Sequence, residues 1–255
     1  MAEQHQLENK MRMLKLSRMV DTLNMRLDQA QKEGLSLSQF LEILLEDEVQ
    51  HRANKRLATR ISRARFEEEK NLEDFDFNFN PKLPAAYIRE LATCQFIERK
   101  ESVILCGPVG VGKTHLAQAL GHQACRRGYN VLFIKASRLL SDLGGGRADD
   151  TWEKRIQHYL KPHLLILDDF AMKEFSKNQA EDLYELIDRR YHTSSLIVTA
   201  NRAPKDWYPL FPNPVIAESA LDRLVSCAHL LTLTGKSYRS MQRPNKDLEK
   251  EVATV

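Results

Sequence analysis

The stretch Gly107-Pro108-Val109-Gly110-Val111-Gly112-Lys113-Thr114 constrains this chain more than any other. It satisfies the pattern G-x-x-x-x-G-K-[ST], follows the apolar run Val103-Ile104-Leu105-Cys106 and precedes a helical pattern over 115–127. Strand, glycine-rich turn and helix start stand in the order that phosphate chemistry needs. The glycines let backbone N–H groups close around phosphate oxygens, and the helix N-terminus adds a favourable dipole. Gly107, Pro108, Val109, Gly110, Val111, Gly112, Lys113, Thr114 and the following His115 are therefore the expected nucleotide-binding loop. Lys113 is placed to reach the β- and γ-phosphates of a nucleotide, and the Thr114 hydroxyl to hold Mg²⁺. The competing reading is a glycine-bearing turn that binds nothing, and the flanking strand and helix weigh against it.

Apolar runs at 129–134, 164–167, 196–200 and 229–233 alternate with helical patterns at 137–143, 151–160 and 178–191. That alternation predicts an α/β fold, a mostly parallel sheet with helices on both faces and ligands at the strand C-termini. Gly144-Gly145-Gly146 is expected to end the helix before it. The run Leu164-Leu165-Ile166-Leu167 closes on Asp168-Asp169. One carboxylate at such a strand end helps hold Mg²⁺, usually through water, and the next orients or deprotonates an attacking water. Asn201, at the end of the next strand, is placed to hold the same water or the γ-phosphate.

Composition narrows the class without naming a partner. With 255 residues, 42% hydrophobic, 29% charged and a net charge of +3, the chain reads as an ordinary soluble globular protein. Cys94, Cys106, Cys125 and Cys227 lack C-x-x-C spacing and read as reduced thiols, and no histidine spacing suggests zinc. No secretory h-region or membrane-length apolar run occurs, so a cytoplasmic location is expected.

Before the loop, Leu7, Met11, Leu14, Met19, Leu23 and Leu27 recur at mostly helical spacing and predict one helix ended by Gly34. Ser36 and Gln39 form a capping-box pattern opening a second, with Phe40, Leu41, Leu44, Leu45 and Val49 as its stripe. Two such helices cannot bury both stripes alone, so a third helix or a partner chain is required. Past Val49 come Arg52, Lys55, Arg56, Arg60, Arg63 and Arg65 with no acid among them. Such a run is either a solvated face or a contact with nucleic-acid phosphates of little sequence preference. The sign reverses over 66–76, and Asn78, Asn80, Pro81 and Pro84 break regular structure. A linker over 66–84 thus separates a helical module, 1–65, from a core, 85–255, with Phe75, Phe77 and Phe79 pinning the linker to the core.

The loop, the strand ending in Asp168, Asn201, the Leu221-Asp222-Arg223-Leu224 stretch and Gly235-Lys236-Ser237-Tyr238-Arg239 together resemble the AAA+ ATPases. More narrowly the chain is similar, over nearly all its length, to the IstB/DnaC branch, and to the IstB-like transposition helpers within it. The resemblance implies that Lys113 and Thr114 are the Walker A pair and Asp168 the Walker B aspartate, with Thr114 and Asp168 holding the metal. It assigns Asn201 to sensor 1, Arg223 to the arginine finger and Arg239 to sensor 2. A finger supplied from a neighbouring subunit neutralises transition-state charge and implies a homo-oligomer. Two departures stand out: Asp169 replaces the usual glutamate, and too few residues follow the fifth strand for the usual helical lid. In initiator-type members the region after the second strand faces DNA, which would put Arg147, Lys154 and Arg155 against phosphates. The implied function is an ATP-hydrolysing helper of DNA transposition that oligomerises on double-stranded DNA and recruits an IstA-type transposase. The alternatives are a DnaC-type helicase loader, a small-molecule P-loop kinase and a nucleotide-gated scaffold that barely hydrolyses.

Overall fold

The computed structural model describes residues 2–77 and 83–238. Contacts divide the chain into two compact units, Met1–Thr59 and Arg60–Val255, so the division falls inside a helix and the stretch 66–77 counts with the second unit.

The first unit is built from α1 (Ala2–Met13), α2 (Ser17–Glu33) and the larger part of α3 (Leu37–Ala64). The single helix expected over the first stripe is two. The chain breaks at Lys15, whose φ is 58°, and Leu16 N donates to Met11 O over 2.9 Å. The break folds Met11 back onto Met19 and Leu23, and Leu44 of α3 completes a small core with Leu16, Val20 and Phe40 against it. α1 thus supplies part of the cover the two apolar stripes required, while Leu7, Leu14, Leu27, Leu41, Leu45 and Val49 stay exposed. α2 starts without a side-chain cap of its own. Glu48 of α3 stands in, accepting from Arg18 N at 2.9 Å and Met19 N at 3.3 Å. The capping box of α3 forms as expected, Ser36 N donating to Gln39 Oε1 (2.9 Å) and Gln39 N to Ser36 Oγ (3.3 Å).

In the second unit, α4 (Ala85–Leu91) and α5 (Gln95–Glu98) precede β1 (Ser102–Cys106), α6 (Lys113–Arg126) and β2 (Val131–Lys135). Then come α7 (Ala136–Ala148), α8 (Trp152–Leu160), β3 (Leu164–Phe170), α9 (Lys177–Arg190), β4 (Ser195–Ala200), α10 (Pro214–Ser226) and β5 (Ala228–Thr232). The five strands are parallel in the order β2-β3-β4-β1-β5, with helices on both faces. β1 lies between β4 and β5, so the glycine-rich loop leaves the sheet from its interior, where ligands collect in open α/β sheets. Among the described residues β5 is the last element, and no lid follows it.

One expected break is absent. α7 runs straight through Gly144, Gly145 and Gly146. The reason lies in α8: a Cβ on Gly146 would stand 2.9 Å from Trp152 Cα. The glycine is there so that the start of α8 can approach the end of α7, and that packing outweighs glycine's poor helix propensity.

The stretch 66–77 is a strap along α6. Phe66 stacks on His122 with ring centroids 4.1 Å apart. Gln118 Oε1 accepts from Glu67 N (3.0 Å) and Glu68 N (3.1 Å). Phe75 meets His115 edge-on at 5.2 Å and Phe77 lies 5.0 Å from Phe75. These two aromatics pin the strap as expected; Phe79 lies outside the described residues.

Candidate nucleotide site

The loop is shaped by backbone. Gly110 and Gly112 hold φ values of 82° and 97°, which side-chain-bearing residues seldom adopt. The segment after β5 backs it, with Leu233 N donating to Cys106 O (2.7 Å) and Tyr238 N to Gly110 O (2.9 Å). α6 opens at Lys113 with no side-chain cap on Gly112, so its first turn presents N–H groups to the cleft. Lys113 is nearly buried, and its Nζ donates to Gly107 O (2.8 Å) and Pro108 O (2.7 Å). The ammonium therefore rests on the loop's own carbonyls, within the arc where phosphate oxygens would replace them.

Asp168 is 2% exposed at the end of β3. Its Oδ1 accepts from Thr114 Oγ1 at 2.8 Å and from Thr199 Oγ1 at 2.6 Å. Burial pushes this carboxyl above its ordinary value, the two hydroxyls pull it back, and the charge on Asp169 raises it again. Asp169 follows on a β-bulge. Leu167 pairs with Val198 and Phe170 with Ala200, so Asp168 and Asp169 together face the single residue Thr199. Asp169 takes a φ of 54° and donates its N–H to Thr199 Oγ1 (3.1 Å). The bulge turns one carboxylate in and its neighbour out.

Both aspartates, the loop from Val109 to His115, and Asn201 line one cavity of about 480 Å³. That volume suits a nucleotide. Asn201 Nδ2 lies 3.0 Å from Met172 Sδ. His115 reaches Asn71 O at 3.3 Å through Nε2. Gly107 and Pro108 stand behind the cavity and serve it through the carbonyls that hold Lys113. An uncapped helix start, a buried lysine on the loop, and a hydroxyl joined to a buried carboxylate fit a nucleoside triphosphate with Mg²⁺. Thr114 and Asp168 would hold the metal.

Three participants escaped the sequence reading. Thr199 left one signal, a hydroxyl inside the apolar run of β4, where it is fully buried. Glu67 and Lys135 also line the cavity and left none.

Other expected site residues lie elsewhere. Arg223, on α10, pairs with Asp188 (3.0 Å), donates to Ser219 O (2.8 Å) and sits 5.7 Å from the Tyr184 ring centroid. It does not line the cavity of its own chain. Arg239 lies outside the described residues. Among the expected phosphate contacts, Arg52 is tied to Glu48 (2.7 Å), Arg147 to the buried Asp182 (2.8 Å) and Arg155 to Asp142 (2.8 Å). Lys55, Arg56, Arg63 and Lys154 are exposed and Arg60 is half-buried. Among the described residues no helix is long and apolar enough to cross a membrane.

The profile of IstB-like ATP binding proteins matches residues 9–246. A protein described as ATP-binding in an insertion sequence of Mycobacterium tuberculosis is 54% identical over 241 residues, covering 94% of this chain and 96% of its own. The ATP-binding protein of insertion sequence IS21 from Pseudomonas aeruginosa is 36% identical over 239 residues, covering 94% and 90%. Among solved structures, the DnaC helicase loader aligns with a TM-score of 0.53 at 21% identity, over 67% of this chain and 96% of that one. AMPPCP-bound DnaA from Aquifex aeolicus aligns at 0.56 and 20%, over 66% and 51%. These structural likenesses are of fold.

Proposed function

The chain belongs to the IstB-like ATP-binding proteins, and from that premise we propose that it hydrolyses ATP to control an oligomer assembled on double-stranded DNA, serving transposition. The observation that carries the catalytic half is the Thr114–Asp168–Thr199 cluster directly beneath the loop. Lys113 leaves the carbonyls of Gly107 and Pro108 for the β- and γ-phosphates, and the N–H groups at the start of α6 bind their oxygens. Bound Mg²⁺ supplies neutralisation of the charge developing on the phosphates. Asp169 and Asn201 orient the attacking water. Arg223, which does not line its own cleft, acts in a neighbour's, once that neighbour's negative charge competes it away from Asp188.

The DNA half rests on Lys55, Arg56, Arg60, Arg63 and Lys154, which bind phosphates with little sequence preference. An IstA-type transposase is the partner recruited. The helicase-loader reading shares the core. What favours transposition is that relatives named for insertion sequences cover 94% of the chain. A mixing experiment tests the assembly: Arg223→Ala and Lys113→Ala chains, each inactive, regain DNA-stimulated ATP turnover when combined. Retention of full turnover by Arg223→Ala alone contradicts the trans arrangement. Capture with a transposase, set against capture with a replicative helicase, decides the partner.

A further inference from the structure

Among the carboxylates that line the cleft with Asp168 and Asp169, one comes from outside the sheet and is tied to a strand of it. Glu67 belongs to the strap, and its main chain is fixed where Gln118 Oε1 receives Glu67 N (3.0 Å) and Glu68 N (3.1 Å). Gln118 is 2% exposed and sits on α6 one turn beyond Thr114, on the same side of the helix. From that anchor the Glu67 side chain extends to Lys135, with Oε1 2.9 Å from Nζ. Lys135 ends β2 in direct register with Asp168 of β3. Its ammonium lies within electrostatic reach of Asp168 and Asp169 as well as Glu67. All four side chains line the cavity.

The plain alternative is a surface ion pair fastening the strap. Both partners are about two-fifths exposed, 40% and 45%, and such pairs contribute only about 0–1 kcal/mol. The strap does not need it, because Phe66 on His122, Gln118 and the Phe75–His115 contact already hold it. What the pair does achieve is to hold a carboxylate on the wall of the cavity that Asp169, on a short side chain and a bulged backbone, also lines.

We propose that Glu67 is a further catalytic carboxylate of this site, sharing with Asp169 the task of holding the attacking water, and that Lys135 is its positioning residue. The proposal rests on the ATP-hydrolysis reading above. In the step it serves, the water oxygen bonds to the γ-phosphorus as the bond to the β–γ bridging oxygen breaks. ADP leaves, and the proton shed by the water passes to a carboxylate. Lys135 offsets the repulsion that three neighbouring carboxylates would otherwise build up.

The test uses the full chain with duplex DNA and two readings: affinity for a fluorescent ATP analogue across a Mg²⁺ titration, and steady-state ATP turnover. Glu67→Gln lowers kcat about a hundredfold while the analogue Kd stays within about twofold and its Mg²⁺ dependence is unchanged. Lys135→Met lowers kcat in the same direction. Adding Asp169→Glu to Glu67→Gln restores most of the lost turnover, because the longer side chain takes over the water. Wild-type turnover in Glu67→Gln, or a parallel loss of binding and turnover in that variant, overturns the proposal and leaves the ATPase reading standing. A wild-type chain that binds no analogue, or binds it without hydrolysing ATP, overturns that reading and this proposal with it.

Discussion

Thr114 Oγ1 donates to Asp168 Oδ1 over 2.8 Å, joining the first turn of α6 to the end of β3. The hydroxyl and the carboxylate meet where a phosphate-bound divalent cation would sit, and Thr199 fixes the same oxygen from β4. Asp168 stands in a place that disfavours charge, since burial raises its pKa. Substituting Asp168→Asn therefore separates function from stability. ATP turnover falls on the order of a hundredfold or more, while the thermal midpoint is unchanged or rises. Turnover assays beside a thermal melt check both halves. Thr114→Ala lowers turnover in the same direction.

The glycines of α7 give opposite outcomes two residues apart. A Cβ at Gly144 meets nothing within 4 Å, so Gly144→Ala stabilises by about 0.5–1 kcal/mol through helix propensity. A Cβ at Gly146 meets Trp152 Cα at 2.9 Å, and Gly146→Ala destabilises by about 1–3 kcal/mol. Denaturant midpoints of the two variants move in opposite directions from the wild type.

Glu48 makes the start of α2 sensitive to acid. Burial works against its charge but is outweighed by hydrogen bonds from Arg52, Met19 N and Arg18 N, so its pKa lies below the ordinary 4.5. A lowered native value means the stabilisation is fully present above 4.5 and is lost as pH falls through the lower native value. Glu48→Gln speeds amide exchange over 17–33 at neutral pH, equivalent to about 1–3 kcal/mol. The difference from wild type shrinks as pH drops below the ordinary carboxylate range. Exchange measured by mass spectrometry across pH is the check.

Arg190 is 1% exposed and, among the described residues, pairs with no carboxylate. Its guanidinium donates to Tyr159 O (2.7 Å), Pro162 O (3.1 Å) and Ser195 O (2.6 Å), knitting α8, α9 and β4 together. Burial pushes its pKa down to about 9. Arg190→Met strands those carbonyls in the interior and costs about 3 kcal/mol or more. A denaturation curve measures it directly.

The strands, the loop and the paired aspartates were legible because each is a short apolar run ending on a polar residue, a pattern written in consecutive positions. Phe75 and Phe77 were legible for a related reason, since alternating aromatics are wasteful in water. What escaped depends on partners distant in the chain. Lys15 breaks a helix with no glycine or proline nearby, because Met11 gains a place against Leu23 and Leu44. The helix continues through the glycines because Arg155 packs on Gly145 and Gly146 and Trp152 on Gly146. Arg147 and Arg155 looked like free positive charge, yet Asp182 and Asp142 claim them. Lys135 resembled any strand-end lysine until β3 set Asp168 beside it and the strap brought Glu67.

The central claim is that Lys113 and its loop grip a triphosphate whose hydrolysis is completed by a second chain. ATP turnover per chain, measured with duplex DNA over a wide range of protein concentration, tests it most directly. The proposed trans arrangement predicts turnover per chain that climbs with concentration in the wild type and is abolished at every concentration in Lys113→Ala. Turnover per chain that stays constant down to the isolated monomer, or that survives Lys113→Ala, would contradict it.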